Sequence, residues 1–131
     1  ILEKAGIEMK NIHLIEPLGY LEFNYLVKQA KGVLTDSGGI TEETTVMNVP
    51  CITLRDNTER PETINQGTNE LIGTNPKKIK PALEKLLAGD WKQSQIPKKW
   101  DGKAAERIVE ILLELISKNH KNTCSLSNQA L

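Results

Sequence analysis

The sequence predicts an α/β protein built on a layered, parallel sheet. Three observations carry this reading. Short apolar runs of strand length alternate with segments of helical spacing. The connections are short, so each helix reads as the crossover between parallel strands. Glycine and proline stand at the joints.

The elements follow in order. Residues 1–6, I-L-E-K-A-G, read as the last turns of a helix closed by Gly6. A domain rarely begins with the end of a helix, so a fragment of a longer protein is expected. Residues 11–16 carry Ile12, Leu14 and Ile15 and read as a strand, punctuated by Pro17 and Gly19. Residues 20–30 place Leu21, Tyr25, Leu26 and Ala30 near helical spacing, with Gly32 as a stop. Residues 33–36 predict a strand that runs into S-G-G, and residues 39–48 a helix broken at Val49-Pro50. Residues 51–55 predict a buried strand, 61–66 a helical turn opened by Pro61, and 70–73 a brief strand. Asn75 and Pro76 read as N-cap and first residue of a helix, with Ile79, Leu83, Leu86 and Leu87 on one face. Pro81 predicts a kink in that helix or a later start. Asp101 caps a last helix over 103–117, whose apolar stripe nearly encircles it and implies exposed apolar surface. One domain over 1–117 and a disordered tail over 118–131 are expected.

Composition excludes some partners. Lys plus Arg and Asp plus Glu both number 17, so the basic excess of a nucleic-acid binder is missing. No apolar run nears the roughly 18–20 residues of a membrane span. The two cysteines, Cys51 and Cys124, make no disulfide framework, which points to a reducing cytoplasm. His13 and His120 lack metal-ligand spacing, so no metal is expected; no cofactor is expected either.

Right-handed crossovers put the strand C-termini on one edge, where open α/β sheets bind ligands. Three loops would meet there: 17–23, 36–43 and 55–62. In the second, Ser37, Gly38 and Gly39 open a helix. Glycines let backbone approach a ligand, and the helix start attracts phosphate. The same S-G-G also fits a plain tight turn. Glu42 and Glu43 fit two readings equally, complements to the helix dipole or acceptors for a ribose diol. In the third loop, Arg55, Asp56, Glu59, Arg60 and Glu62 read either as a solvated, ion-paired loop or as an arginine aimed at phosphate. Arg60 is restrained by Pro61. Tyr20 and Phe23 of the first loop offer a ring to a base, and core packing suits Phe23 as well.

T-D-S-G-G-I-T-E-E at 35–43, L-R-D-N-T-E-R-P-E at 54–62 and Q-G-T-N-E-L-I-G-T at 66–74 together resemble non-hydrolysing UDP-N-acetylglucosamine 2-epimerases. P-L-G-Y-L-E-F at 17–23 and D-G-K-A-A-E-R-I at 101–108 fit the same pattern. Thr41 and Thr44 depart from it, standing where the family commonly has Gln and Ala. The resemblance implies a Rossmann-like three-layer parallel sheet, the incomplete C-terminal half of a GT-B two-domain fold. It implies UDP and UDP-N-acetylhexosamine as ligands, with Phe23 on the uracil, Ser37, Gly38 and Gly39 on the diphosphate, Glu43 on the ribose and Arg60 near the phosphates. The implied chemistry interconverts UDP-GlcNAc and UDP-ManNAc, by eliminating UDP and adding it back with inversion at C2. The family's carboxylates for the C2 proton lie in an N-terminal domain missing here, so no catalytic residue is expected in this fragment. A homodimer is implied for the full-length protein. Two other readings stand beside this one: the donor domain of a GT-B glycosyltransferase, and a noncatalytic nucleotide-binding module.

Overall fold

The computed structural model describes residues 10–127, with side chains through residue 118. The helix end expected at 1–6 lies outside the described residues. In chain order the elements are α1 (Tyr20–Gln29), β1 (Val33–Thr35), α2 (Gly38–Met47), β2 (Cys51–Thr53), α3 (Pro61–Asn65), β3 (Asn69–Leu71), α4 (Pro76–Leu87) and α5 (Ala104–Ser127).

The strands form one parallel sheet in the order β1-β2-β3. Thr35 pairs with Thr53, and Thr53 with Leu71, so the three strands end level. The loops after β1 and β2 therefore leave the same edge side by side. Strand alternation sends Ile52 to one face and its neighbours Cys51 and Thr53 to the other. Ile52 packs with Ala82 and Leu86 of α4, and Leu54, Ile72 and Trp91 close around them. On the opposite face lies α2, whose inner side is made of threonines rather than aliphatics. Thr41, Thr44 and Thr45 are all buried. Threonine is a weak helix former, but here each hydroxyl returns to its own helix. Thr41 Oγ1 donates to the Gly38 carbonyl at 2.6 Å, and Thr44 and Thr45 both donate to the Thr41 carbonyl, at 3.2 and 2.8 Å. The two departures from the epimerase pattern thus face the sheet.

Helix ends follow the sequence signals. The Lys77 N–H donates to Asn75 Oδ1 at 3.0 Å, the expected N-cap. Gly89, at φ +76, closes α4. Its N–H reaches the Leu86 carbonyl and that of Asp90 the Lys85 carbonyl, the paired bonds of a Schellman end. Pro81 neither breaks nor delays α4. It lies on the exposed side, where water can take the carbonyl left without a partner.

Two expectations fail. Residues 11–16 form no strand. Ile12, Leu14 and Ile15 are exposed, and among the described residues the run finds neither a strand edge nor a layer to cover it. The last helix does not stop at residue 117 but continues to Ser127. Its expected exposure is found: Ile108, Val109, Ile111, Leu112, Leu113, Leu115 and Ile116 are all more than half exposed.

The α5 start is held by charge. Asp101 Oδ1 accepts from the Lys103 N–H at 3.1 Å, and the other carboxylate oxygen takes a hydrogen bond from Arg107. Arg107, with help from that N–H, holds the Asp101 carboxyl below its ordinary 3.8. The folded state therefore favours the charged form. Its contribution is full above the ordinary carboxylate range and is lost as pH falls through the lowered value. Acidification from about pH 5 to 2 is expected to unwind the α5 start, seen as lost far-UV ellipticity. Asp101→Asn should flatten part of that acid limb; an identical limb would refute this anchor.

Candidate functional site

The β1–α2 joint presents bare amides. The Ser37 N–H is consumed by Thr35 Oγ1 at 3.0 Å. Ser37 is the N-cap of α2, yet its side chain caps nothing, and the first turn holds no acidic residue. The N–H groups of Gly38 and Gly39 thus open the helix with no side-chain partner among the described residues. A Cβ on Gly39 would meet nothing within 4 Å, and one on Gly38 would come no nearer than 3.9 Å to Glu59 Oε2. Space is kept open over both glycines.

The β2–α3 loop faces this turn. Arg60 Nε donates to Glu42 Oε1 at 2.6 Å, and Arg60 Nη1 reaches the Glu59 carbonyl at 3.4 Å. Nη2 makes no hydrogen bond among the described residues, so the outer fork stays available. The bond and charge of Glu42 push the guanidinium above its already high ordinary value, leaving Arg60 a permanent cation. Glu59 is held below its usual range by a backbone N–H and by Arg55, which lies 3.3 Å away. Gly38, Gly39, Glu42, Glu59 and Arg60 line a cleft of about 300 Å³.

A second cleft of about 280 Å³ shares Glu42 with the first. Tyr20, Glu42, Glu43, Val46, Met47 and Trp100 line it. Successive helical residues point about 100° apart, which separates the two carboxylates left open in the sequence. Glu42 is tied to Arg60. Glu43 makes no hydrogen bond or ion pair among the described residues and turns to the apolar cleft.

The predicted site residues divide accordingly. Gly38, Gly39 and Arg60 come together around the first cleft, while Ser37, the N-cap just before them, does not line it. Glu43 lies in the second, which shares Glu42 with the first. Phe23 is half-buried and lines neither. The rings that do line a cleft are those of Tyr20, the first residue of α1, and Trp100, from the connection before α5. Trp100 had no local signal beyond its being an aromatic in a polar segment. Tyr20 stood in the loop already singled out.

Donors at one end and a carboxylate among apolar walls at the other suit a ligand with an anionic group, a diol and a flat ring. Comparison with known proteins gives the family. A family model described as UDP-N-acetylglucosamine 2-epimerase matches residues 1–113. A curated protein of that name from Methanocaldococcus jannaschii is 52% identical over 105 residues, covering 79% of this chain and 28% of its own. One from Yersinia pestis is 43% identical over 117 residues, covering 86% and 30%. Among solved structures, the M. jannaschii UDP-GlcNAc 2-epimerase in complex with UDP-GlcNAc and UDP superposes with TM-score 0.69 at 46% identity, over 86% of this chain and 32% of that one. The Neisseria meningitidis enzyme bound to UDP-GlcNAc gives TM-score 0.70 at 38% identity, over 80% and 29%. The chain thus spans under a third of the length of these relatives.

Proposed function

The chain belongs to the UDP-N-acetylglucosamine 2-epimerase family, and we propose that it supplies the UDP-binding part of an enzyme that interconverts UDP-GlcNAc and UDP-ManNAc. The observation that carries this reading is the pair of glycine amides without side-chain partners in a cleft that Arg60 also lines, with Glu43 in a second cleft that shares Glu42 with the first. In this reading the diphosphate lies on the Gly38 and Gly39 amides and on Arg60, with Ser37 just before the two glycines. Glu43 accepts the ribose hydroxyls, supported by its freedom from any ion pair. An aromatic ring covers the uracil. Phe23 is the residue the resemblance names, while the cleft geometry favours Tyr20.

During elimination the sugar C1–O bond breaks and the electron pair stays on the β-phosphate of the departing UDP. The C2 proton leaves to a base, and a C1–C2 double bond forms. Re-addition reverses these changes with the proton delivered to the other face. The helix start and Arg60 stabilise the charge gathering on the leaving phosphate. The group that takes the C2 proton belongs to a further domain, which closes the cleft in a cytoplasmic, homodimeric full-length enzyme. Among the described residues no helix is long and apolar enough to cross a membrane.

Calorimetric titration of the chain with UDP tests this. Weak binding is expected, with Kd on the order of 0.1–1 mM. Arg60→Ala should weaken it by about tenfold, as loss of a forked charge-assisted contact does. The chain alone should form no ManNAc nucleotide from UDP-GlcNAc. Absence of UDP binding, or an Arg60→Ala chain that binds unchanged, would refute the assignment.

A further inference from the structure

Beneath the Arg60 backbone lie three polar side chains that line neither cleft. Thr53 on β2, Thr63 on α3 and Asn69 on β3 are 2%, 0% and 0% exposed. Buried polar groups are costly unless bonded, and these are bonded in a single direction. Thr53 Oγ1 donates to Asn69 Oδ1 at 2.6 Å. Asn69 Nδ2 donates to Thr63 Oγ1 at 3.3 Å. Thr63 Oγ1 donates to the Arg60 carbonyl at 2.8 Å, and the Thr63 N–H reaches the same oxygen at 3.1 Å. The run starts in the central strand and ends on the backbone of a cleft residue.

Arg60 needs such a hold. It sits just outside α3 at φ −127 and ψ 66, and its side chain is half exposed. Glu42 fixes the guanidinium, and among the described residues only the Thr63 contacts fix its carbonyl. The far end of α3 is held separately, by the Lys92 ammonium, which donates to the Ile64 carbonyl at 2.6 Å and also to that of Asn69. Stability alone does not account for this design. Matched apolar groups in such a place are often neutral or stabilising, whereas a satisfied polar run fixes one geometry.

We propose that Thr53, Asn69 and Thr63 form a positioning network for Arg60 and set how firmly the cleft grips a nucleoside diphosphate. This rests on the reading of Arg60 as a phosphate ligand. The residues touch no ligand and act through the Arg60 carbonyl.

The test compares the unaltered chain with Thr63→Val, Thr63→Ser, Arg60→Ala and the Arg60→Ala/Thr63→Val double variant. Thr63→Val keeps shape and removes the hydroxyl; Thr63→Ser keeps the hydroxyl. UDP affinity is read by calorimetry, and the residue-63 amide by hydrogen exchange. Thr63→Val is expected to weaken UDP about three- to tenfold and to speed exchange at that amide, while Thr63→Ser restores both. In the Arg60→Ala background the Thr63→Val loss should vanish, because coupled residues are non-additive. An equal loss in both backgrounds, or no loss while Arg60→Ala itself weakens UDP, overturns the network alone. If Arg60→Ala binds UDP unchanged, the phosphate reading fails, and the proposal with it.

Discussion

Replacing Gly67 with alanine is expected to destabilise the chain by about 2–3 kcal/mol. Gly67 needs no unusual backbone angle; what it lacks is room. A Cβ there would lie 2.3 Å from Thr45 Oγ1, 2.7 Å from Thr45 Cγ2 and 2.7 Å from the Thr63 carbonyl oxygen. Thr45 is branched at Cβ, so rotating χ1 exchanges one clashing branch for the other. Its hydroxyl is also committed to the Thr41 carbonyl. The Thr63 carbonyl is backbone and cannot step aside without moving α3. The added methyl therefore forces α2 away from the α3–β3 turn, the same packing that sets Glu42 against Arg60. Urea unfolding reads the loss as a lower midpoint. Thr45→Ala in the same chain should return part of it, because the Thr63 oxygen still blocks the methyl. A Gly67→Ala midpoint equal to the unaltered one would mean that α2 and α3 are not packed as described.

That packing also shows what the sequence could and could not disclose. β1 and β2 were legible because apolar runs stop at S-G-G and at R-D-N. The α4 and α5 starts were legible because Asn75-Pro76 and Asp101 are chemical signals that need no tertiary partner. The inner faces were not. A hydropathy reading places Thr41, Thr44, Thr53, Thr63 and Asn69 at the surface, yet all are buried. Each is made tolerable by a hydrogen bond that only the folded chain supplies. The opposite error occurs at Ile12, Leu14 and Ile15, where a strand-like run meets no edge to join among the described residues.

The site divides along the same line. Two of the three loops meet because β1 and β2 are hydrogen-bonded neighbours that end level. The loop at 17–23 reaches the site differently, with Tyr20 carried in at the start of α1 rather than after a strand. The choice between Glu42 and Glu43 rests on helix phase and on which carboxylate Arg60 captures. Adjacent identical residues carry no such information in one dimension.

Gly39→Asp should separate folding from binding more sharply than any other single change. The position is exposed, its added Cβ meets nothing within 4 Å, and its φ is open to L-residues. α2 has no acidic residue in its first turn. An aspartate there complements the helix start and is expected to leave stability unchanged or raised by about 0.5 kcal/mol. The same carboxylate would stand where the diphosphate is proposed to lie. Two like charges about 4 Å apart near a protein surface repel by ~4 kcal/mol, so UDP affinity should fall by at least about 50-fold, out of calorimetric reach at millimolar ligand. Gly39→Asn carries nearly the same bulk without the charge and should cost less than about tenfold. A chain carrying Gly39→Asp that still takes up UDP as the unaltered chain does would place the anion elsewhere. Equal losses from Asp and Asn would make the effect one of space. Only a gap between them, with unfolding midpoints level, identifies the amides of this turn as the seat of a negative charge.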